Sequence, residues 1–340
     1  MWIGLDGRQA HDTWEDGKRL LENRRDFLKK GAMAAAVLSM PAASGCVDMR
    51  PIRANVPMKS VRTGRALVLW FSQTGYTERN GKLLAHRLEK LGMNVTASEM
   101  RRFDRQRMGD FDLIVIGSPV FYYDTPQYVK AWIRSLPELR GTPVAAYVTF
   151  GGPEGNQHNA VCSILGLLAE KEGVPVGTNT FMNMSSFPLS WSEEEVHEKT
   201  WMSRHLPNEE TYDSVREYSR YLVNQVNLAK DAAFSKRLTV REISTWFGPI
   251  WWTKKFVKNH SIVEDDCIGC GTCVEKCPAD AINLSAFQVD RDSCVLCFGC
   301  VNNCPARAVH MEYSGETVIG YRDFMMKKKL IITEPEELSV

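Results

Sequence analysis

Net charge is almost absent from this sequence. Against 42 Lys and Arg stand 41 Asp and Glu, a formal charge of +1, so there is no electrostatic footprint for nucleic acid and none is expected as a partner. The basic run Lys327-Lys328-Lys329 is too short to change that and reads as a solvated tail. Long apolar runs are missing too: the longest, Gly31 to Ala43, falls short of the roughly 20 residues that span a bilayer. Nucleotide fingerprints are missing: no glycine-rich loop ends in Gly-Lys-Ser/Thr, and no G-x-G-x-x-G follows a strand. The seven histidines include no pair at metal-ligand spacing and each reads as structural or solvated. Neither a Ser-His-Asp nor a Cys-His set is supported by order and spacing. Cysteine is scarce outside one region, since only Cys46 and Cys162 stand apart from eight crowded between Cys267 and Cys304. Metal ligation explains that crowding better than disulfides do.

What is present first is an alternation. ALVLWF, Ala66 to Phe71, reads as a buried strand, and Leu83, Leu84, Leu88 and Leu91 then recur at helical spacing. FDLIVIG is followed by a helix from Pro126 to Leu136, and PVAAYVTFGG by a helix from about Asn159 to Glu172. Such βα repetition predicts a parallel sheet covered on both faces, with ligands bound where the carboxyl ends of the strands open onto loops. Three loops are candidates. Ser72-Gln73-Thr74-Gly75-Tyr76-Thr77 offers hydroxyls and backbone N–H groups before a helix, an arrangement suited to an anion, although such loops also cap helices for structural reasons. Ser118-Pro119-Val120-Phe121-Tyr122-Tyr123 brings three consecutive aromatics on which a flat ring could be stacked. Phe150-Gly151-Gly152 allows close backbone approach. Together, Ala66 to about Met184 resembles the flavodoxin family, and the segment GSPVFYYDTP is similar to its quinone-reductase-type branch. The resemblance implies a flavodoxin-like, doubly wound α/β fold with a five-stranded parallel sheet and FMN across its carboxyl ends. Cys162, in the apolar run VCSILGLL, reads as a core thiol. Ser185 to Pro207 is polar and has no clear period, while Glu209 to Lys230 reads as a helix covering the last face of the sheet.

The cysteine region reads Cys267-x2-Cys270-x2-Cys273-x3-Cys277-Pro278 and then Cys294-x2-Cys297-x2-Cys300-x3-Cys304-Pro305. It resembles the bacterial two-cluster ferredoxin pattern, in which the fourth cysteine of each run ligates the other run's cluster. Carried onto these positions, one [4Fe–4S] cluster is held by Cys267, Cys270, Cys273 and Cys304, and the other by Cys277, Cys294, Cys297 and Cys300, within a small α+β domain. The alternative is a pair of zinc sites, but zinc usually takes two C-x2-C pairs set well apart.

Arg24-Arg25-Asp26-Phe27-Leu28-Lys29 precedes the short apolar stretch and resembles the twin-arginine (Tat) export motif. Ala43-Ser44-Gly45-Cys46 resembles a lipoprotein cleavage box, and a lipidated Cys46 would anchor the protein at a membrane surface. Plain cleavage after a small residue is the alternative. The polar lead from Met1 to Glu22 suggests a start codon placed too early, and a start at Met58 would remove the signal and leave the protein cytoplasmic. The expected organisation is an extension and signal over 1–46, a linker over 47–65, a flavodoxin-like FMN domain over 66–232, a Trp-rich linker over 233–260, a ferredoxin domain over 261–312 and a tail over 313–340. Trp246, Trp251 and Trp252 in that linker could pack the two domains together, sit at a membrane interface or dock a partner.

The whole from about Ala66 to Met311 resembles the flavodoxin–ferredoxin fusion proteins of the EFR-type ferredoxin family. That resemblance implies an electron carrier coupling one- and two-electron chemistry, working with a redox partner protein or a quinone. Cofactor-loaded cargo and a Tat signal explain each other, because this route exports folded proteins. A reductase using FMN on a quinone or other small acceptor is the alternative, and a flavodoxin fold that only docks the ferredoxin is a third.

Overall fold

The computed structural model describes residues 47–60, 64–151, 156–192, 195–245 and 249–338. The export motif, Cys46, Gly152 and Trp246 lie outside the described residues. The short strand β1 (Val47–Asp48) precedes a five-stranded parallel sheet of β2 (Arg65–Trp70), β3 (Asn94–Glu99), β4 (Leu113–Pro119), β5 (Pro143–Gly151) and β6 (Val174–Asn183). Its order is β3-β2-β4-β5-β6, so after β3 the chain crosses back over β2 to continue on the other side. This is the flavodoxin-like doubly wound arrangement, whose ligand crevice opens where the order reverses, between β2 and β4.

Side chains of a strand alternate between faces, and here both faces are covered. Leu67, Leu69, Ile114 and Ile116 pack into the layer beneath helices Gln127–Arg134 and Gln157–Glu170. Ala66, Val68, Trp70, Leu113 and Val115 pack beneath helices Tyr76–Lys90 and Glu209–Asn227. Burial on both sides is why β2 and β4 read as unbroken apolar runs. Strand β3 sits at the sheet edge and carries polar residues at Thr96 and Ser98, so its sequence lacks that signature.

The expected linker is largely ordered. Strand β7 (Arg237–Leu238) pairs with β1, and helices Val240–Thr245 and Pro249–Phe256 follow. Strand β8 (Val257–Ile262) already belongs to the second sheet, so the ferredoxin unit begins before the expected residue 261. That sheet is completed by β9 (Ile282–Asn283), β10 (Gln288–Val289), β11 (Val309–Tyr313) and β12 (Glu316–Thr317), all antiparallel. The tail extends this sheet through β12, packs Tyr321 and Phe324 against Tyr76 and Trp191, and reaches the first unit at Arg79 and Arg216. It therefore bridges both units. Trp251 and Trp252 remain 55% and 48% exposed, with Lys255 Nζ 3.5 Å from the Trp251 ring centroid.

Candidate functional site

The three loops at the carboxyl ends of β2, β4 and β5 converge on one cleft of about 460 Å3, within the range of cofactor pockets. The first loop is shaped by Ser72, whose Oγ accepts the Gly75 N–H at 3.1 Å, and by Gly75 itself, held at φ 93° to open helix Tyr76–Lys90. Thr77 is buried at its floor, where its hydroxyl lies 2.7 Å from that of Thr149 and its carbonyl accepts from Tyr147 Oη at 2.9 Å. In the second loop Phe121 pairs with Asp124 across a tight turn, forcing Tyr122 and Tyr123 to φ 50° and 69°. Such strain in non-glycine residues is held only where the surroundings impose it. Asp124 supplies the hold: Lys130 pairs with it and Ser163 Oγ donates to it at 2.8 Å. In the third loop Gly151 lies so close to Ser185 that a Cβ would sit 2.3 Å from its Cα.

Most of the expected residues line the cleft: Ser72, Thr74 and Thr77, the run from Pro119 to Tyr123, and Phe150 with Gly151. Others do different work. Ser118 is fully buried below, donating to the Pro119 carbonyl at 2.9 Å. Tyr76 borders the cleft, while its hydroxyl is hydrogen bonded to that of Tyr321. Gln73 lines the cleft and also reaches the ferredoxin unit: its Nε2 donates to the Lys276 carbonyl at 3.3 Å, and its backbone carbonyl accepts from Asn303 Nδ2 at 3.0 Å. Sequence reasoning missed two walls. Ser185, Phe187, Leu189, His197 and Lys199 come from the aperiodic segment after β6, and Leu296, Cys297 and Phe298 come from the ferredoxin unit. The two walls meet in an aromatic chain, with ring centroids 6.0 Å apart for Tyr122 and Phe187 and 5.4 Å for Phe187 and Phe298.

The eight clustered cysteines divide into two sets, each around its own small cavity. Cys267, Cys270, Cys273 and Cys304 line one; Cys277, Cys294, Cys297 and Cys300 line the other. Each cavity is thus lined by three cysteines of one run and the fourth of the other. The backbone repeats as well: Gly269 and Leu296 N–H groups point to Cys267 and Cys294 Sγ at 3.5 and 3.4 Å, and Ala281 and Ala308 N–H groups to Cys277 and Cys304 Sγ at 3.3 and 3.2 Å. Every described cysteine is unbridged. Among the described residues no three His, Cys, Asp or Glu converge as one ion would require. Zinc would hold its thiolates at about 2.3 Å from a single point, whereas each set here surrounds a cavity. Burial pushes the Cys297 thiol up to about 12 and the Cys300 thiol upward too, so thiolates there need a bound cation's charge.

Cys162 is buried, its thiol pushed up to about 11 by burial, in keeping with a core residue. Of the two readings left open for the histidines, structural or solvated, His260 is not the solvated one: it is buried, with Nε2 3.4 Å from Cys300 Sγ. Burial, with Arg291 nearby, lowers its pKa to about 4 and keeps the ring neutral.

The Fer4 family, a 4Fe-4S binding domain, matches residues 260–283. None of the curated proteins matches the sequence. Among solved structures, a flavodoxin from the domain Archaea is 15% identical, covering 48% of this chain and 99% of its own, with a TM-score of 0.35. The Streptococcus pneumonia TIGR4 flavodoxin is 14% identical over 47% of this chain and 99% of its own, TM-score 0.37. Two-electron reduced Megasphaera elsdenii flavodoxin is 16% identical over 47% and 98%, TM-score 0.35. The strand order itself establishes the first fold, and the matched cysteine motif the second. One chain thus joins a flavodoxin-like α/β unit to a 4Fe–4S ferredoxin unit.

Proposed function

We propose that this protein is an exported electron carrier that holds FMN in the cleft and a [4Fe–4S] cluster in each cysteine cavity, relaying electrons between them. One observation carries the reading: Leu296, Cys297 and Phe298 line both the cleft and the second cysteine cavity. The two sites share a wall one residue thick. Bound FMN would supply one- or two-electron chemistry, and each cluster one-electron chemistry. The chain's own residues do the rest. Loop Ser72–Thr77 presents hydroxyls and amides to an anionic group, while Tyr122 and Phe187, packed edge to face, give an aromatic wall for a flat ring, and Leu189 adds apolar lining. Tyr122 is fixed across the domain boundary by donating its hydroxyl to the Leu296 carbonyl at 3.3 Å. Burial raises its pKa, so it stays protonated and able to donate.

Anaerobic absorption spectra with iron and flavin analysis test this directly. Two clusters and one flavin require about eight iron and one FMN per chain. Iron without flavin would leave the α/β unit as a docking scaffold. A second reading, reduction of a quinone or other small acceptor at the flavin, is favoured by the exposed rim of the cleft at Tyr123, His197 and Lys199. Rapid flavin bleaching by NADH or NADPH, followed by turnover on a quinone, would select that reading. Bleaching by dithionite alone would select the carrier.

Export through the Tat machinery rests on Arg24 and Arg25 together with cofactor-loaded cargo. Replacing both arginines by lysine is expected to leave unprocessed protein in the cytoplasm; unchanged localisation would overturn export and support a start at Met58. Attachment to a membrane surface, through lipidated Cys46, is supported by the exposed Trp251 and Trp252 beside Lys255. No helix among the described residues is long and apolar enough to cross a membrane. Mass analysis of the processed amino terminus decides whether Cys46 carries lipid.

A further inference from the structure

The second cysteine cavity is the more deeply enclosed of the two. Cys273 and Cys300 are buried alike, but Cys270 of the first set is exposed with Ile268 68% exposed, whereas their counterparts in the second, Cys297 and Val295, are half-buried, with Leu296 and Phe298 buried beside them. Reduction adds negative charge to a cluster, and burial in apolar surroundings makes that addition harder. Left uncompensated, the inner site would be a low-potential barrier between the outer site and the cleft.

One buried side chain reaches that site without being a ligand in the cysteine pattern. His260 lies on β8, is 6% exposed, and places Nε2 3.4 Å from Cys300 Sγ. A metal-bound thiolate has no proton to donate, so a hydrogen bond here requires the proton on Nε2, with sulfur accepting. The contact is unmatched in the pseudo-symmetric half. Cys273, which stands where Cys300 stands, has no side-chain donor among the described residues; the hydroxyl near the first set, Thr272 Oγ1 at 3.3 Å from Cys270 Sγ, is at the solvent-facing end. Lys254 and Arg291 share a cavity with His260 and Cys294, but each is engaged there, Lys254 with the Asp292 carbonyl at 3.0 Å and Arg291 with the Val257 carbonyl at 2.7 Å. Asp290 and Asp292 offset their charge. The directed N–H···S contact is therefore the distinguishing feature of the inner site.

We propose that His260 is a potential-setting residue: its Nε2–H, donated to Cys300 Sγ, raises the reduction potential of the inner cluster and keeps it in step with the outer one. The inference rests on the two-cluster reading above. The step it governs is simple in balance: one electron leaves the reduced outer cluster and arrives at the oxidised inner cluster, with no bond made or broken and no proton moved. Hydrogen bonds to sulfur stabilise the more negative, reduced state, which is one of the levers that set cluster potentials.

The test is a redox titration of the cofactor-loaded protein, followed by EPR, for the unaltered chain, His260→Phe and His260→Gln. Phenylalanine fills the space without a donor; glutamine restores an N–H at similar reach. In His260→Phe, one of the two one-electron cluster steps is expected to fall by about tenfold in its reduction equilibrium, about 59 mV, with the other unchanged. His260→Gln is expected to recover most of the loss. Full iron content with both steps unmoved in His260→Phe would overturn the proposal alone, as would a glutamine variant that behaves like phenylalanine. Iron near four per chain in the unaltered protein would overturn the two-cluster reading, and the proposal with it. Should His260→Phe fail to load clusters, the unaltered chain labelled with 15N-histidine answers by pulsed EPR. A histidine nitrogen coupled to one reduced cluster is expected, and absence of that coupling would defeat the assignment.

Discussion

Gly151 ends β5 against Ser185, and its lack of a side chain is what lets the third loop close on the segment after β6. A Cβ there would lie 2.3 Å from Ser185 Cα and 2.6 Å from its backbone nitrogen, neither of which can swing aside as a side-chain tip could. Gly151→Ala is therefore expected to cost about 1–3 kcal/mol through overpacking and to weaken flavin retention, measured as flavin per chain after gel filtration. Cys297 is the other residue where one atom decides much. It belongs to the inner set of sulfurs and also lines the cleft. Cys297→Ala is expected to remove the inner cluster, taking iron from about eight to about four per chain, while the outer set and the flavin persist. A variant that kept all its iron would show the ligand set to be misassigned.

The element that most needed the three-dimensional arrangement for its explanation is the carboxy-terminal tail. Glu337 meets Arg216 in a two-pronged contact, both N–O distances 2.8 Å, and Glu334 meets Arg79 at 2.6 Å through Nε. These anchor the tail on helices Tyr76–Lys90 and Glu209–Asn227, which cover one face of the parallel sheet. Hydrogen bonding from Arg216 pulls the Glu337 carboxyl down to about 2, against a smaller opposing effect of burial. A carboxyl depressed in the folded state stabilises the contact above its unfolded value of about 4.3 and loses that contribution as pH falls toward the folded value. The clasp is expected to hold at neutral pH and to loosen between about pH 4 and pH 2, seen as faster amide hydrogen exchange over residues 330–338. Glu337→Gln should weaken it by about 1 kcal/mol, as for a two-pronged Arg–carboxylate contact near the surface, and flatten that acid response.

At the scale of the whole molecule, the two units meet through the aromatic chain of Tyr122, Phe187 and Phe298, the tail's packing on Tyr76 and Trp191, and several polar contacts around the shared wall. Arg101 donates to the Cys277 carbonyl at 3.2 Å and to the Glu275 carbonyl at 3.1 Å, Asn302 donates to the Ser186 carbonyl at 3.0 Å, and Gln73 is hydrogen bonded to Lys276 and Asn303, in the short helices Thr272–Lys276 and Gly299–Asn303. Gly299 touches Gln73 so closely that a Cβ would lie 2.1 Å from its Oε1. Contacts of this kind set the distance an electron must cross. Arg101→Ala is expected to leave iron and flavin content unchanged while slowing transfer between clusters and flavin by about tenfold, on the order of 1.4 kcal/mol, measured by stopped-flow after partial reduction. Unchanged transfer would mean that the remaining contacts hold the units in place.

Much of this protein was decided by residues close together in the chain. The βα alternation was legible because strands buried on both faces must be continuously apolar and their helices must repeat every three to four residues. The two cysteine runs were legible from their spacing, but the exchange of the fourth cysteine between them was implied by the resemblance to the two-cluster ferredoxin pattern, since Cys277 and Cys304 stand at the same distance in each run. Edge strand β3 was not legible, since an edge needs no apolar run, and the cleft-lining residues Ser185, Phe187, Leu189, His197 and Lys199 were not, since they line it from a segment without a period. Only the tertiary structure turned Tyr76 toward Tyr321, Gln73 toward Asn303 and His260 toward Cys300. Those partners lie 245, 230 and 40 residues apart in sequence. Local periodicity carries no information at such separations; the docking of one folded unit on another supplies it.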